Sequence, residues 1–392
     1  MKSPLRIAWV ATHPIQYQAP LIRALAKVTE VSVSAIFFSD FSTRTYEDAE
    51  FKTDVKWDAD LLGGYDYWFA KSINNSINEI KTFKPIVFGL GKKITKQNFD
   101  VIIVHGWNHY GMLYASWLAK REGIKVLLRC EASDHVVTSR GLKKFFREIV
   151  VKYLLKTVDG VLAIGSRNRD FYLARGVPRE KITLMPYCVD NDYFSSRAAS
   201  VDKVSLKKRL GLIDDRPVLL YLSKLIERKH PDKLLEAYVS LPEPRPYLVF
   251  VGDGPLYSKL EDMVQVDRLD GVKLVGFKNQ SETTKYYAIA DILVLPSVNE
   301  TWGLVVNEAM ACGCAIISTI GVGASMDIVS SGRNGVIIDC PTRTELARAI
   351  KECIDGQRFL RMGRESQRII SSWGIKENMI GFQRALKNLE QH

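Results

Sequence analysis

Short apolar runs rich in Val and Ile recur along the chain, separated by longer stretches with helical periodicity. In the first half the runs are RIAWVAT (6–12), VSVSAIFF (31–38), VIIVHG (101–106), KVLLRC (125–130) and GVLAIG (160–165). In the second they are VLLYLS (218–223), YLVFVGD (247–253), VKLVGF (272–277), ILVLPS (292–297), AIISTI (315–320) and GVIID (335–339). Most are apolar throughout rather than alternating, as strands buried on both faces must be. Between them lie amphipathic patterns such as PLIRALAKV, YASWLAKREG, PDKLLEAYVSL and TELARAIKECI. This alternation predicts an α/β fold with parallel sheets covered by helices on both faces.

The rhythm breaks between Tyr187 and Pro217, a polar stretch that reads as a linker and a lead-in helix before a fresh strand. With 392 residues, the chain exceeds what one hydrophobic core usually serves, so two domains are expected. Residues 40–98 are the least regular, with the aromatic, Asp- and Gly-rich text WDADLLGGYDYWF. Insertions on a scaffold often carry recognition. In open α/β sheets ligands bind beyond the carboxyl ends of the strands, so two such domains predict a cleft with one substrate on each wall.

Composition narrows the class. The chain is 46% hydrophobic and 25% charged, ordinary for a soluble protein, and no apolar run reaches the roughly 20 residues that span a bilayer. The short, alternating start MKSPLRIAWVATHP does not read as a signal peptide. Six scattered cysteines, of which only Cys312 and Cys314 are close, provide no zinc ligand set; reduced, structural thiols and a cytoplasmic address are expected. The net charge of +11 is concentrated: residues 81–180 hold 19 Lys and Arg against 8 Asp and Glu, and the rest of the chain balances. Such a stretch suits nucleic acid, anionic lipid or an acidic substrate, or is a solvated face. The chain lacks the usual nucleic-acid motifs, which argues against that partner. GLKKFFREIVVKYLLK (141–156) sets Lys143, Lys144, Arg147, Lys152 and Lys156 beside Phe145, Phe146, Ile149, Tyr153 and Leu154. The expectation is a helix that buries this apolar stripe in the core, with its basic face a candidate for an anionic membrane surface.

The most informative segment is PSVNETWGLVVNEAMACG (296–313), which follows an apolar strand and opens a helix. Backbone N–H groups at such a helix start suit a diphosphate, and the dipole favours anions there. Gly303 permits close backbone approach. Glu300 in the loop is placed to accept hydrogen bonds from sugar hydroxyls, and Glu308 lies about one and a half turns beyond Gly303, within reach of a ribose.

The same segment resembles the signature of family 4 retaining glycosyltransferases of the GT-B fold: a loop Glu and a helix Glu with seven residues between them, followed by EAMACGCAII, the turn GVGAS and the close GRNGVIID. SKLIERKHPDKLLEAY (223–238) resembles that family's donor-phosphate element, placing Lys224 and Lys229 near the diphosphate, where cations neutralise charge built up in bond breaking. The family more often has Gly-Arg at the positions of Ser223-Lys224; the exchange keeps the charge but loses the guanidinium fork. VGDGPLYSKLE (251–261) resembles its glycine turn, with Gly254, and VGF (275–277) its loop beside the nucleobase, with Phe277 a stacking candidate. The resemblance is strong over roughly 160–340. It implies a donor site of Ser223, Lys224, Lys229, Gly254, Phe277, Glu300, Thr301, Trp302, Gly303, Leu304 and Glu308. It also implies a first domain over 1–190 for the acceptor, a second over 191–370 for the nucleotide sugar, and a C-terminal helix in 371–392 as a candidate to cross back.

The first half resembles a subgroup carrying HPIQYQ (13–18), Trp57-Asp58 with Leu61, Leu62, Gly64 and Tyr65, and the HGW element His105-Gly106-Trp107. His13, Gln16, Tyr17, Trp107 and His109 are the acceptor-side candidates. Where many relatives place a histidine after a strand, this chain has Arg129-Cys130-Glu131; Arg129 or Glu131, or else His105 or His109, are candidates for its role. The resemblance implies a metal-independent hexosyltransferase without cofactor. Its donor would be a UDP-, GDP- or similar nucleotide sugar, its acceptor a glycan, lipid-linked saccharide or small-molecule hydroxyl. A sugar-nucleotide epimerase of the same fold is the alternative, and a basic nucleic-acid-binding protein a more distant one.

Overall fold

A computed structural model describes residues 3–48, 53–73, 80–135 and 142–390. Contacts divide the chain into two units, one built from Met1–Asp48, Asp54–Tyr187 and Ile375–His392, the other chiefly from Cys188–Gly374.

The first unit holds a seven-stranded sheet of β1 (Leu5–Ala11), β2 (Val31–Phe37), β3 (Asp66–Phe69), β4 (Val101–His105), β5 (Lys125–Arg129), β6 (Gly160–Ala163) and β7 (Ile182–Leu184). Their order is β7-β6-β5-β4-β1-β2-β3, and every pairing is parallel. All five strands expected in this half are present. The sheet adds β3 and β7 at its two edges, short strands whose text is too polar or too brief to register as a buried run. On one face α1 (Ala19–Ala26) and a C-terminal helix pack over Ile7, Trp9, Val101, Ile103 and Leu127. On the other, α2 (Tyr110–Arg121) and α3 (Leu142–Thr157) cover Ala8, Val10, Ile102, Val104, Val126 and Leu128. Odd and even positions of one strand thus serve separate cores, which is why the runs are apolar throughout.

The stripe of α3 departs from expectation. Val151, Leu154 and Leu155 face the core, whereas Phe145, Ile149 and Tyr153 are exposed. Gly141 and the side chains of Lys143, Lys144 and Phe146 lie outside the described parts. The core selects the Val151–Leu154–Leu155–Val158 set because it presents the compact aliphatic side chains that fit between helix and sheet.

The second unit holds α4 (Asn191–Ala199), α5 (Lys203–Arg209) and a six-stranded parallel sheet. Its strands are β8 (Val218–Leu222), β9 (Tyr247–Val251), β10 (Val272–Leu274), β11 (Ile292–Leu295), β12 (Ala315–Thr319) and β13 (Gly335–Ile338), in the order β10-β9-β8-β11-β12-β13. All six were legible as apolar runs. The crossover helices include α6 (Pro231–Val239), α7 (Gln280–Ile289), α8 (Leu304–Ala311), α9 (Arg343–Ile354) and α10 (Arg358–Ile370). Each sheet places its loops at the carboxyl ends of its strands on one edge, where a doubly wound fold binds ligands.

The last helix, α11 (Ile375–Glu390), belongs to the first unit. Its Gly381 lies against the backbone of β7: a Cβ there would meet the Leu184 carbonyl oxygen at 2.3 Å. Asn378, buried, donates to the Pro186 carbonyl at 2.7 Å and receives the Arg129 guanidinium. Gly381→Ala is expected to destabilise the first unit by ~1–3 kcal/mol, the usual cost of overpacking, while Gly356→Ala, at an open position with positive φ, costs less. Urea unfolding of the two variants checks this ordering.

Candidate active site

In the second unit the loops after β8, β9, β11 and β12 meet through backbone. Ser223 N–H donates to the Val251 carbonyl at 3.1 Å and Leu225 N–H to that of Asp253 at 2.9 Å. The approach needs Gly252 and Gly254, whose Cβ positions would lie 2.0 Å from the Ser223 oxygen and 2.7 Å from that of Leu225. Both adopt positive φ, 142° and 147°, which glycine alone tolerates readily. Gly254 therefore shapes the loop that carries Ser223 and Lys224.

The loop after β11 is held the same way. Glu300 N–H donates to Gly321 and the Glu300 carbonyl accepts from Gly323, both at 3.1 Å. A Cβ at Gly323 would meet the Thr301 carbonyl at 2.1 Å. The GVGAS turn is thus the bed on which the Glu300 loop lies. Trp302 turns inward: it is buried, donates from Nε1 to Asn307 Oδ1 at 2.9 Å and stacks on Trp373 at 5.8 Å. It anchors the loop, while Thr301 and Leu304 stay partly exposed.

This scaffold brings the charged residues together. Lys229, buried at the end of a short turn before α6, donates from Nζ to Glu300 Oε2. Arg228, which the spacing did not single out, sets Nη1 3.6 Å from the same oxygen. Lys224 sits on the neighbouring loop with its carbonyl held by the Tyr221 hydroxyl at 2.9 Å. Helices α4, α5, α7 and α9 are capped by the side chains of Asp190, Asp202, Asn279 and Thr342. α8, like α6 and α10, starts without a side-chain cap, here from Gly303 in the left-handed conformation (φ 94°). The Val306 N–H donates to the Gly303 carbonyl at 2.9 Å, and no capping side chain takes the N–H groups of Leu304 and Val305.

Glu308, inside α8, accepts a hydrogen bond from the Tyr287 hydroxyl to Oε2 at 2.7 Å. Burial pushes its carboxyl up to about 7, with the Tyr287 hydrogen bond pulling the other way. Tyr287 stands 21 residues upstream on α7, a separation at which no local pattern signals the contact. Phe277 lies partly exposed in the loop after β10.

The first unit gathers its own group at the carboxyl edge. Tyr17 donates to Glu131 Oε1 at 3.2 Å, and the Tyr187 hydroxyl donates to the same oxygen. Burial and the adjacent carboxylate hold both phenols well above their ordinary value. Arg129 is buried, with Nη2 against the carbonyls of Met185 (3.2 Å) and Pro186 (3.4 Å) and its guanidinium 5.0 Å from the Tyr187 ring. It fastens the exit of β7 to the sheet. His105 packs on Trp9 with ring centroids 4.2 Å apart, and burial, then Arg129, drives its pKa well below the ordinary value. Its Nε2 is shielded and, among the described residues, has no hydrogen-bond partner; the same holds for Gln16 Oε1. His105 lines a cavity of about 530 Å³ with Thr12, Thr82 and Asn108.

His13 contacts Thr12 Oγ1 at 3.0 Å and is held neutral by burial, its pKa near 4. His109 caps α2: Nδ1 accepts from Gly111 N–H and Nε2 faces the Pro85 carbonyl, each at 3.0 Å. Trp107 is buried and stacks on Phe171 at 6.0 Å. The structure thus gathers Tyr17 and Glu131 with Tyr187, and sends His109 and Trp107 into structural contacts.

The family model described as "Glycosyl transferases group 1" matches residues 202–370, and the "Glycosyl transferase 4-like domain" model matches 81–188. The chain belongs to the family 4 glycosyltransferases of GT-B type. A D-inositol 3-phosphate glycosyltransferase of Stackebrandtia nassauensis is 29% identical over 287 residues, 67% of this chain and 62% of that protein. The chain matches less than two thirds of the length of this and the next curated relatives, with 48% and 46% for two others. Among solved structures, Anabaena HepE in complex with UDP superposes with a TM-score of 0.72 at 18% identity, over 98% of this chain and 99% of that one. Sucrose-phosphate synthase from Thermosynechococcus elongatus gives 0.72 at 20% identity over 99% of both. The fold is the GT-B fold that the family signature implied.

The Glu308 carboxyl couples folding to pH. A carboxyl raised from 4.5 to about 7 on folding is more protonated in the folded chain between those values. Its contribution to stability is complete below about pH 4.5 and is lost as the pH rises through 7. Glu308→Gln, which cannot ionise, is expected to gain stability relative to the native protein from pH 5 to pH 8. Urea unfolding across that range is the measurement, and a pH-independent difference contradicts it.

Proposed function

We propose that the protein is a retaining glycosyltransferase that moves a sugar from a nucleotide diphosphate donor to a hydroxyl acceptor. The carrying observation is the grouping of Lys229, Arg228 and Glu300 beside the uncapped start of α8, with Glu308 four residues into that helix. A diphosphate takes the cations and the free N–H groups, a sugar hydroxyl takes Glu300, and the ribose takes Glu308. The glycosyltransferase named for D-inositol 3-phosphate and the HepE complex with UDP support a hydroxyl acceptor and make UDP the first donor base to test. An epimerase reading lacks comparable support among the relatives.

In the proposed step the bond from the anomeric carbon to the donor phosphate oxygen breaks and a bond to the acceptor oxygen forms. Attack on the face from which the diphosphate departs retains configuration, and the acceptor proton passes to a leaving phosphate oxygen. Lys224, Arg228 and Lys229 stabilise the charge that accumulates on the diphosphate, the role a metal ion plays elsewhere. Lys229 and Glu300 pair with each other without ligand; donor binding replaces that pair by cation–phosphate and carboxylate–hydroxyl contacts. In the first unit, Glu131 held by Tyr17 and Tyr187 takes the place of the family histidine in orienting the substrates. The acceptor belongs to this unit.

Transfer from UDP-glucose and other nucleotide sugars to candidate acceptors is measured by release of the nucleotide diphosphate. Lys229→Ala and Glu300→Gln are each expected to lower kcat by about 10²–10³, the cost of removing one such stabilising group. Full activity in both variants would overturn the site assignment, and donor turnover without any diphosphate release would favour the epimerase. Because ribose hydroxyls donate to an ionised Glu308, binding of UDP-glucose at pH 6.5 is expected to release protons. Calorimetry in two buffers of different ionisation enthalpy detects the release, which is absent in Glu308→Gln.

A further inference from the structure

The stretch of chain with the excess positive charge, residues 81–180, also carries exposed apolar side chains. α2 and α3 cover the same face of the first unit's sheet, with Met112, Ala115, Leu118, Val151, Leu154 and Leu155 turned inward. A helix on a water-facing layer normally presents polar residues outward. Here Tyr114 and Trp117 of α2 are 40% and 55% exposed and stack on each other at 5.9 Å. Along α3, Phe145, Ile149 and Tyr153 recur every fourth residue, so they form one row, and are 60%, 50% and 71% exposed. The strand Ile86–Phe88 continues the pattern: Val87 is buried in the same core, while Ile86 and Phe88 face out. Phe83 stacks over Tyr110 at the start of α2.

Cations interleave with these rings. Arg121 sets its guanidinium 5.6 Å from the Trp117 ring, and Lys152 and Lys156 are exposed beside Tyr153. Glu148, the acidic residue of α3, is taken up by Arg175 at 2.7 Å. A protein-binding core is depleted in charge. Aromatic and aliphatic side chains mixed with Lys and Arg match instead the headgroup zone of a bilayer, where amphipathic rings enter the interface and cations meet anionic lipid. Among the described residues no helix is long and apolar enough to cross a membrane, so contact through this face would be peripheral.

We propose that the outer face of α2 and α3 docks on a bilayer containing anionic lipid. The transfer reaction is not an assumption of this proposal. The test is co-sedimentation of the full chain with vesicles of phosphatidylglycerol and phosphatidylethanolamine, against vesicles of phosphatidylcholine. Binding is expected to the anionic vesicles only, and to weaken about tenfold or more when salt rises from about 0.1 to 0.5 M. Replacing Trp117→Ser together with Tyr153→Ser is expected to weaken binding at least about tenfold. Lys152→Glu with Lys156→Glu should abolish the preference for anionic lipid. All four positions are exposed, so thermal melting should stay close to that of the native chain. Equal binding to both vesicles, no binding, or retained binding in both double variants would overturn the proposal. So would a dimer in sedimentation velocity that Trp117→Ser with Tyr153→Ser dissolves, which would make the face a contact between two copies.

Discussion

The contact on which the candidate donor site depends is backbone against backbone. Gly252 and Gly254 admit the carbonyls of Ser223 and Leu225, and Gly321 and Gly323 admit those of Val298 and Thr301. With these loops in register, Glu300 has both its N–H and its carbonyl committed to the glycine turn. Its side chain is therefore delivered to one place, beside Lys229. Any side chain at Gly323 would push the loop outward and take the carboxylate with it. The chemistry of the site is carried by charged groups, and their placement by residues with no side chain at all.

That placement has an electrostatic cost which the ligand-free protein offsets internally. Lys229 is buried, and a buried cation without a partner is expensive. Glu300 supplies the countercharge, with Arg228 nearby. Glu308 meets the same problem differently: near neutral pH its carboxyl is close to its own pKa and holds a hydrogen bond from Tyr287. Two glutamates in one segment thus experience different surroundings, one ion-paired in a loop and one desolvated in a helix. Their sequence spacing does not reveal that difference.

In the first unit the corresponding constraint is a buried guanidinium. Arg129 binds the carbonyls that follow β7 and the Asn378 side chain of α11. It thereby fixes Tyr187, whose hydroxyl joins Tyr17 on Glu131. At the end of β5 this chain presents a carboxylate braced by two phenols. Residues 129–131 thus join a cluster of segments distant in the chain.

Much of this was present in the sequence. Eleven apolar runs became eleven strands because a strand buried on both faces must be apolar at every position, a local property. The segment from Glu300 to Glu308 stood out because its glycine and glutamates lie within one strand–loop–helix unit. What the sequence did not determine were relations between segments. The edge strands Asp66–Phe69 and Ile182–Leu184 are defined by the neighbours they pair with, not by their own hydrophobicity. Trp302 reads as a ligand contact until Asn307 and Trp373 are seen to enclose it. His109 and Trp107 look like acceptor groups until Pro85 and Phe171 are found beside them. Tyr287 and Arg228 carry no local signal. The apolar rows of α2 and α3 could be sorted into core and surface only by the sheet they pack on. Periodicity states that a helix has an apolar side, and tertiary packing decides which apolar residues that side can hold.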